Sequence, residues 1–161
     1  MKPIFSNFLG LVLFIQLNAQ SGFANYGLST GISSNNSKLL SFTIEGSGNK
    51  KIHAGVMVES LFYASDISKT SLAGSKAYLS AGLFLKTKIT DTRNFNQQFF
   101  FGGNIGTDNK NTIWYPQLGL ELNFFCSSHI QLFTTQKCLY IFGITGNNWQ
   151  PVLSSGIRYS N

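Results

Sequence analysis

The chain has 161 residues, of which only 11% are charged and 14% aromatic, with 16 glycines, a mean hydropathy of +0.05 and a formal net charge of +6. Its length suits one domain, and past the N-terminal segment no apolar run is long enough for a transmembrane helix. The basic residues are dispersed, with Lys50-Lys51 the only adjacent pair, and no binding motif accompanies them, so the charge does not point to a nucleic acid.

Residues 1–19 have the layout of a secretory signal peptide: Lys2, an apolar run from Phe8 to Ile15, then Leu17-Asn18-Ala19 before a cut expected at Gln20. The run is too short for a membrane anchor, so residues 20–161 are expected to be one exported domain. Within it, a period-two alternation of apolar and polar residues predicts eight strands. The first, 23–32, turns Ala24, Tyr26, Leu28 and Ile32 to one side and Asn25, Gly27, Ser29 and Gly31 to the other. The second, 39–45, separates Leu40, Phe42 and Ile44 from Ser41, Thr43 and Glu45. The third, 52–63, sets Ile52, Ala54, Val56, Val58 and Phe62 against His53, Gly55 and Glu59. The fourth, 77–89, sets Leu79, Ala81, Leu83 and Leu85 against Ser80, Gly82, Lys86 and Lys88.

The fifth, 98–106, has Phe99, Phe101 and Ile105 opposite Gly102, Asn104 and Gly106. The sixth, 114–124, is the clearest: every even position is apolar, and the odd ones are Tyr115, Gln117, Gly119, Glu121 and Asn123. The seventh, 130–142, is less clean, with Ile130, Leu132, Tyr140 and Phe142 opposed to Lys137. The eighth, 149–159, sets Leu153, Ile157 and Tyr159 against Ser154, Gly156 and Arg158. Clusters of turn formers at 46–49, 108–111 and 146–148 separate strands, and the longest connections are 64–76 and, on the other side, 90–96. Strands of this length, with aromatic residues near their ends (Tyr63, Tyr78, Trp114, Phe125, Tyr140, Trp149), predict an all-β fold: an eight-stranded antiparallel up-and-down transmembrane β-barrel in the outer membrane, reached after signal-peptide cleavage. The alternative is a soluble lipocalin-like barrel with the apolar face inside.

In the membrane barrel all three glutamates, Glu45, Glu59 and Glu121, point inward, as do Lys86, Lys88, Lys137 and Arg158. Charges enclosed in so narrow a lumen are tolerable only as partners, which predicts a closed charge network rather than a channel or active site. The aspartates, Asp66, Asp91 and Asp108, fall in connections. His53 and Glu59 share a face but stand about 20 Å apart along a strand, too far for one proton transfer, and His129 is expected to be exposed. Cys126 and Cys138 are expected to lie ~30 Å apart along a hairpin, beyond disulfide reach, and two cysteines do not make a zinc site. No cofactor, metal or small-molecule substrate is implied, and the partner implied is membrane lipid.

Two resemblances bear on function. The closing Arg158-Tyr159-Ser160-Asn161 resembles the His-x-Ser-Asn motif of outer-membrane lipid A deacylases, but arginine stands where that family has its base and does not serve as one near neutrality. More of the chain resembles small Bacteroidetes outer-membrane proteins, on the Ala19-Gln20 junction and on Lys86-Thr87-Lys88-Ile89-Thr90-Asp91-Thr92-Arg93-Asn94-Phe95-Asn96. The C-terminal part, with Ile130-Gln131-Leu132-Phe133, Leu139-Tyr140, a Gly-containing loop and Ser155-Gly156-Ile157-Arg158-Tyr159, resembles the conjugative-transposon TraO family. That resemblance implies a non-enzymatic structural part of a DNA-transfer apparatus, with other apparatus proteins as partners. The second reading is a general OmpA/OmpX-like envelope barrel that binds through its outer loops.

Overall fold

An alternating segment can give one face to a packed interior and the other to an apolar solvent, and all eight such segments form strands. The computed structural model describes residues 24–34, 37–47, 51–63, 76–107, 112–142 and 148–160; residues 1–23, with the expected signal peptide, and 64–75, with most of the longest connection, lie outside the described residues. In chain order the strands are β1 (Ala24–Ser33), β2 (Lys38–Ser47), β3 (Ile52–Tyr63), β4 (Lys76–Asp91), β5 (Phe95–Thr107), β6 (Thr112–Phe125), β7 (Ile130–Tyr140) and β8 (Trp149–Ser160). Each pairs antiparallel with the next, and β8 pairs with β1 from Asn25↔Ser160 to Ser33↔Val152. The sheet therefore closes as an up-and-down barrel and leaves no free edge.

Its outer surface is apolar. Leu28, Leu83, Leu118 and Ile157 are 57, 52, 49 and 57% exposed, whereas their inward neighbours Ser29, Phe84, Gln117 and Arg158 are all buried. That arrangement is the inverse of a soluble barrel: charge is enclosed, and an apolar band faces the surroundings. Hydrocarbon is the solvent that suits such a band, and a closed ladder is what lets strands cross it.

Several local expectations are corrected. The connection expected over 90–96 shrinks to the turn 92–94, because β4 continues to Asp91 through a bulge between Lys88 and Thr90 and β5 begins at Phe95. Asp91 is thus a strand terminus, where it pairs with Lys88 at 2.9 Å, and that lysine is part-exposed at the barrel end rather than enclosed. β7 stops at Tyr140, and Phe142 keeps only an isolated bridge to Trp114. Val56 has outward parity but is 7% exposed, crowded between Ile44 and Leu83 on the adjoining strands.

The largest correction concerns the lumen, whose inward residues were expected to be small or polar throughout. At the end opposite the termini, Leu39, Leu61, Tyr78, Ile113, Tyr115, Leu139, Ile141 and Val152 pack into an apolar cluster inside the barrel. Tyr78, expected at the rim, belongs to this plug. Eight strands enclose room for side chains only, and where no opposite charges meet, apolar groups fill the space without needing partners.

Candidate functional site

Below the apolar plug the lumen is filled by charge. Glu45 on β2, Glu59 on β3, Lys86 on β4, Glu121 on β6, Lys137 on β7 and Arg158 on β8 all project inward and are nearly fully buried. The strand registers gather four of them into a ring of alternating sign. Lys86 Nζ lies 2.7 Å from Glu45 Oε2 and 3.0 Å from the Glu121 carboxylate. Arg158 Nη2 donates to Glu121 Oε1 at 2.8 Å, and its Nε stands 3.3 Å from Glu45 Oε1. Each carboxylate therefore touches both cations.

Neutral side chains complete the ring: Arg158 Nη1 donates to Asn123 Oδ1 at 2.6 Å, Thr135 Oγ1 to Glu121 Oε2 at 3.2 Å, and Asn25 Nδ2 to Glu45 Oε1 at 3.4 Å. The remaining pair, Lys137 and Glu59, forms a second cluster toward the plug. There Asn104 Nδ2 and the Tyr115 hydroxyl donate to Glu59 Oε2 at 2.9 and 3.0 Å, and Gln117 Nε2 donates to Asn104 Oδ1 at 3.2 Å. Pairing plus neutral donors is what makes enclosed charge tolerable.

Each lumenal cation also lies over an aromatic ring: Lys86 over Phe84 at 4.9 Å, Lys137 over Phe100 at 5.7 Å and Arg158 over Phe133 at 4.5 Å. The rings fit because glycine stands across from them. Phe84 pairs with Gly55 and Gly102, Phe100 with Gly119, and Phe133 with Gly156. These phenylalanines were missed in the sequence, although Phe99-Phe100-Phe101 carries a signal: in a period-two strand the middle ring of three must face the other way.

Between the two clusters lies a cavity of about 20 Å³ lined by Thr43, Glu59, Lys86, Glu121, Lys137 and Arg158 among others. That is room for about one water. The barrel reconstituted into planar bilayers is accordingly expected to pass no resolved single-channel current, and stable conductance steps would show that the network opens.

The other candidates are placed apart. His53 is buried on the lumenal side in register with Lys86, while Glu59 is engaged by Lys137, so the two do not meet. His129 is exposed in the β6–β7 turn, stacks on Tyr159 with centroids 6.0 Å apart, and places Nδ1 3.0 Å from the Ser160 carbonyl oxygen. Arg158 is sealed in the lumen, and Ser160 receives Gln131 Nε2 at 3.1 Å, so the motif-like C-terminus brings no base to its serine. Cys126 in the β6–β7 turn and Cys138 on β7, in register with Leu118 and Pro151, are free thiols. Among the described residues no group of three or more His, Cys, Asp or Glu side chains is placed to hold a metal ion.

No protein-family model and no curated protein sequence matches this chain. Solved structures match it in fold. The N-terminal β-barrel domain of Pseudomonas aeruginosa OprF aligns with a TM-score of 0.63 at 8% identity, over 88% of this chain and 100% of that domain. A de novo designed transmembrane β-barrel aligns with a TM-score of 0.61 at 15% identity, over 87% of this chain and 96% of the design. Neisserial surface protein A aligns with a TM-score of 0.55 at 13% identity, over 86% of this chain and 94% of that one. At these identities the likeness is one of fold: a closed eight-stranded antiparallel barrel.

Proposed function

We propose that this chain is a non-enzymatic envelope barrel of the outer membrane, whose lumen is a structural plug and whose connections are its working surface. The observation that carries the reading is the pairing of an apolar outer face with a lumen sealed by mutually neutralising charges. Between the two charge clusters the described lumen has room for about one water, which favours a plug over a solute path or a substrate site. The fold's occurrence in outer-membrane proteins, such as a major outer membrane protein of Thermus thermophilus, supports the compartment. With the termini in the periplasm, the barrel end where β3 finishes and β4 begins faces the cell exterior, the side on which such barrels carry their longer loops. Lipid is then the constant partner, and protein contacts are made by the rims and loops.

The finer reading is a structural part of a conjugative DNA-transfer apparatus, supported by the TraO-like residues of the β7–β8 hairpin and held against the general envelope barrel. After export the mature chain is expected to begin at or near Gln20 and to fractionate with outer membranes; recovery as a soluble periplasmic protein would remove the envelope reading. Deleting the gene from a donor strain should reduce DNA transfer without slowing growth, and a barrel trimmed of residues 65–75 should assemble yet fail to restore transfer. Normal transfer from the deletion strain would leave the general envelope barrel standing.

A further inference from the structure

The outward face of β7 carries Thr134 and Gln136 between Leu132 and Tyr140, where an apolar band calls for hydrocarbon side chains. The polar character continues across the closing seam of the barrel. Thr134 is in register with Ser155 on β8, and Ser155 with Thr30 on β1. The hydroxyls of Thr134 and Ser155 lie 3.1 Å apart and share one hydrogen bond. Gln136 has no such relief. It is exposed, stands in register with Leu120 and Leu153, and its amide has no hydrogen-bond partner among the described residues.

Depth makes this amide unusual. Gln136 is six positions beyond Ile130 and four before Tyr140, the two ends of β7. At about 3.4 Å per residue and a tilt of about 40°, that leaves ~10 Å or more to either end of the strand along the membrane normal. The other outward amide of the described strands, Gln97, is two positions from the start of β5, where water is close. An amide at mid-strand has neither water nor headgroup to bond, and leaving its donors and acceptor unserved in hydrocarbon is costly. Side-chain amides and hydroxyls in that setting hold membrane segments together by bonding across an interface.

The patch is complementary to itself. Two copies inserted in the same orientation relate by a two-fold axis along the membrane normal, which sets each residue opposite its equivalent at the same depth. A primary amide is both donor and acceptor, so two facing Gln136 side chains can exchange two N–H···O=C bonds, and the hydroxyls of Thr30, Thr134 and Ser155 are donors and acceptors as well.

We propose that the β7–β8–β1 face, centred on Gln136 and flanked by Thr134, Ser155 and Thr30, is an intramembrane docking surface for a second copy of this chain. This adds a contact within the membrane to those of the rims and loops, and it rests on the reading of the chain as a membrane-spanning barrel. The test is energy transfer between donor- and acceptor-labelled full chains in phosphatidylcholine vesicles, over a series of protein-to-lipid ratios. Dyes sit on Cys126 in the exposed β6–β7 turn, with Cys138→Ala in every sample so that one thiol reacts. Transfer is expected at dilutions where random mixing gives none. Gln136→Leu, which suits hydrocarbon and keeps the boiling-dependent gel shift of a folded barrel, is expected to weaken association by about tenfold, and Gln136→Asn, which keeps an amide, by less. Equal transfer from Gln136→Leu would place the contact on another face and overturn the proposal. Protein that floats with the vesicles yet shows no transfer beyond random mixing would overturn it alone, leaving the patch to a different membrane-embedded partner. Protein that does not float would overturn the membrane reading and this proposal with it.

Discussion

Glu121→Ala is expected to lower the unfolding free energy of the inserted barrel by about 3–5 kcal/mol, the usual cost of breaking a buried ion pair from one side. The carboxylate it removes is held by both Lys86 and Arg158 and accepts from Thr135, so two enclosed cations lose a partner at once. Asp91→Ala breaks the Lys88 pair at the barrel end, where water takes over, and is expected to cost about 0–1 kcal/mol. Urea titration in lipid vesicles, read by the boiling-dependent gel shift of closed barrels, compares the two. Small and equal effects would place Glu121 in water and undo the inside–outside assignment.

Gly156→Ala should be nearly as damaging, for a steric reason. Gly156 sits where β8 closes on β1, and a Cβ there would lie 2.6 Å from Ser29 Cβ and 2.8 Å from Phe133 Cζ. Neither the adjoining strand nor a ring wedged under Arg158 can retreat far, so overpacking of about 1–3 kcal/mol is expected, together with slower closure of the barrel. Gly103→Ala is the matched control: on the outer face a Cβ meets only the Tyr115 carbonyl oxygen, at an ordinary 3.8 Å, and stability should hold. Adding Phe133→Leu to the Gly156→Ala variant should recover part of the loss. Equal folding yields for the two alanine variants would show that the lumen yields more readily than its packing implies.

The strands were legible because alternation is a local signal. In β6 each even residue from Trp114 to Phe124 faces out and each odd one in. The same count that set Glu45, Glu59, Glu121, Lys86, Lys137 and Arg158 inward also set Lys88 there, which instead pairs with Asp91 at the barrel end. What alternation cannot supply is register, which decides that Glu45 and Glu121 share Lys86 and Arg158 while Glu59 goes to Lys137. The bulge after Lys88 was hidden for a related reason: one extra residue leaves the composition unchanged but moves the turn. The apolar plug was missed because Leu39, Leu61 and Leu139 were assigned to neither face of their strands, whereas their parity with Ser41, Glu59 and Lys137 puts them inside. The neutral partners Asn104 and Tyr115, which donate to Glu59, and Asn123, which accepts from Arg158, had the right parity too, but nothing in a polar side chain says which charge it will serve.

The mutual cancellation of the lumenal charges has a consequence for the protein's field. Three of the 6 acidic and three of the 12 basic residues are locked in it, so the formal charge of +6 is carried entirely by the rest of the chain. Counter-ions therefore act on the barrel unevenly. Raising ionic strength should weaken attraction between its exposed basic groups and any anionic surface within a Debye length of about 8–10 Å, while leaving the enclosed pairs largely unscreened. Partner binding that weakens with salt, in a protein whose unfolding midpoint does not move, is the signature of that division.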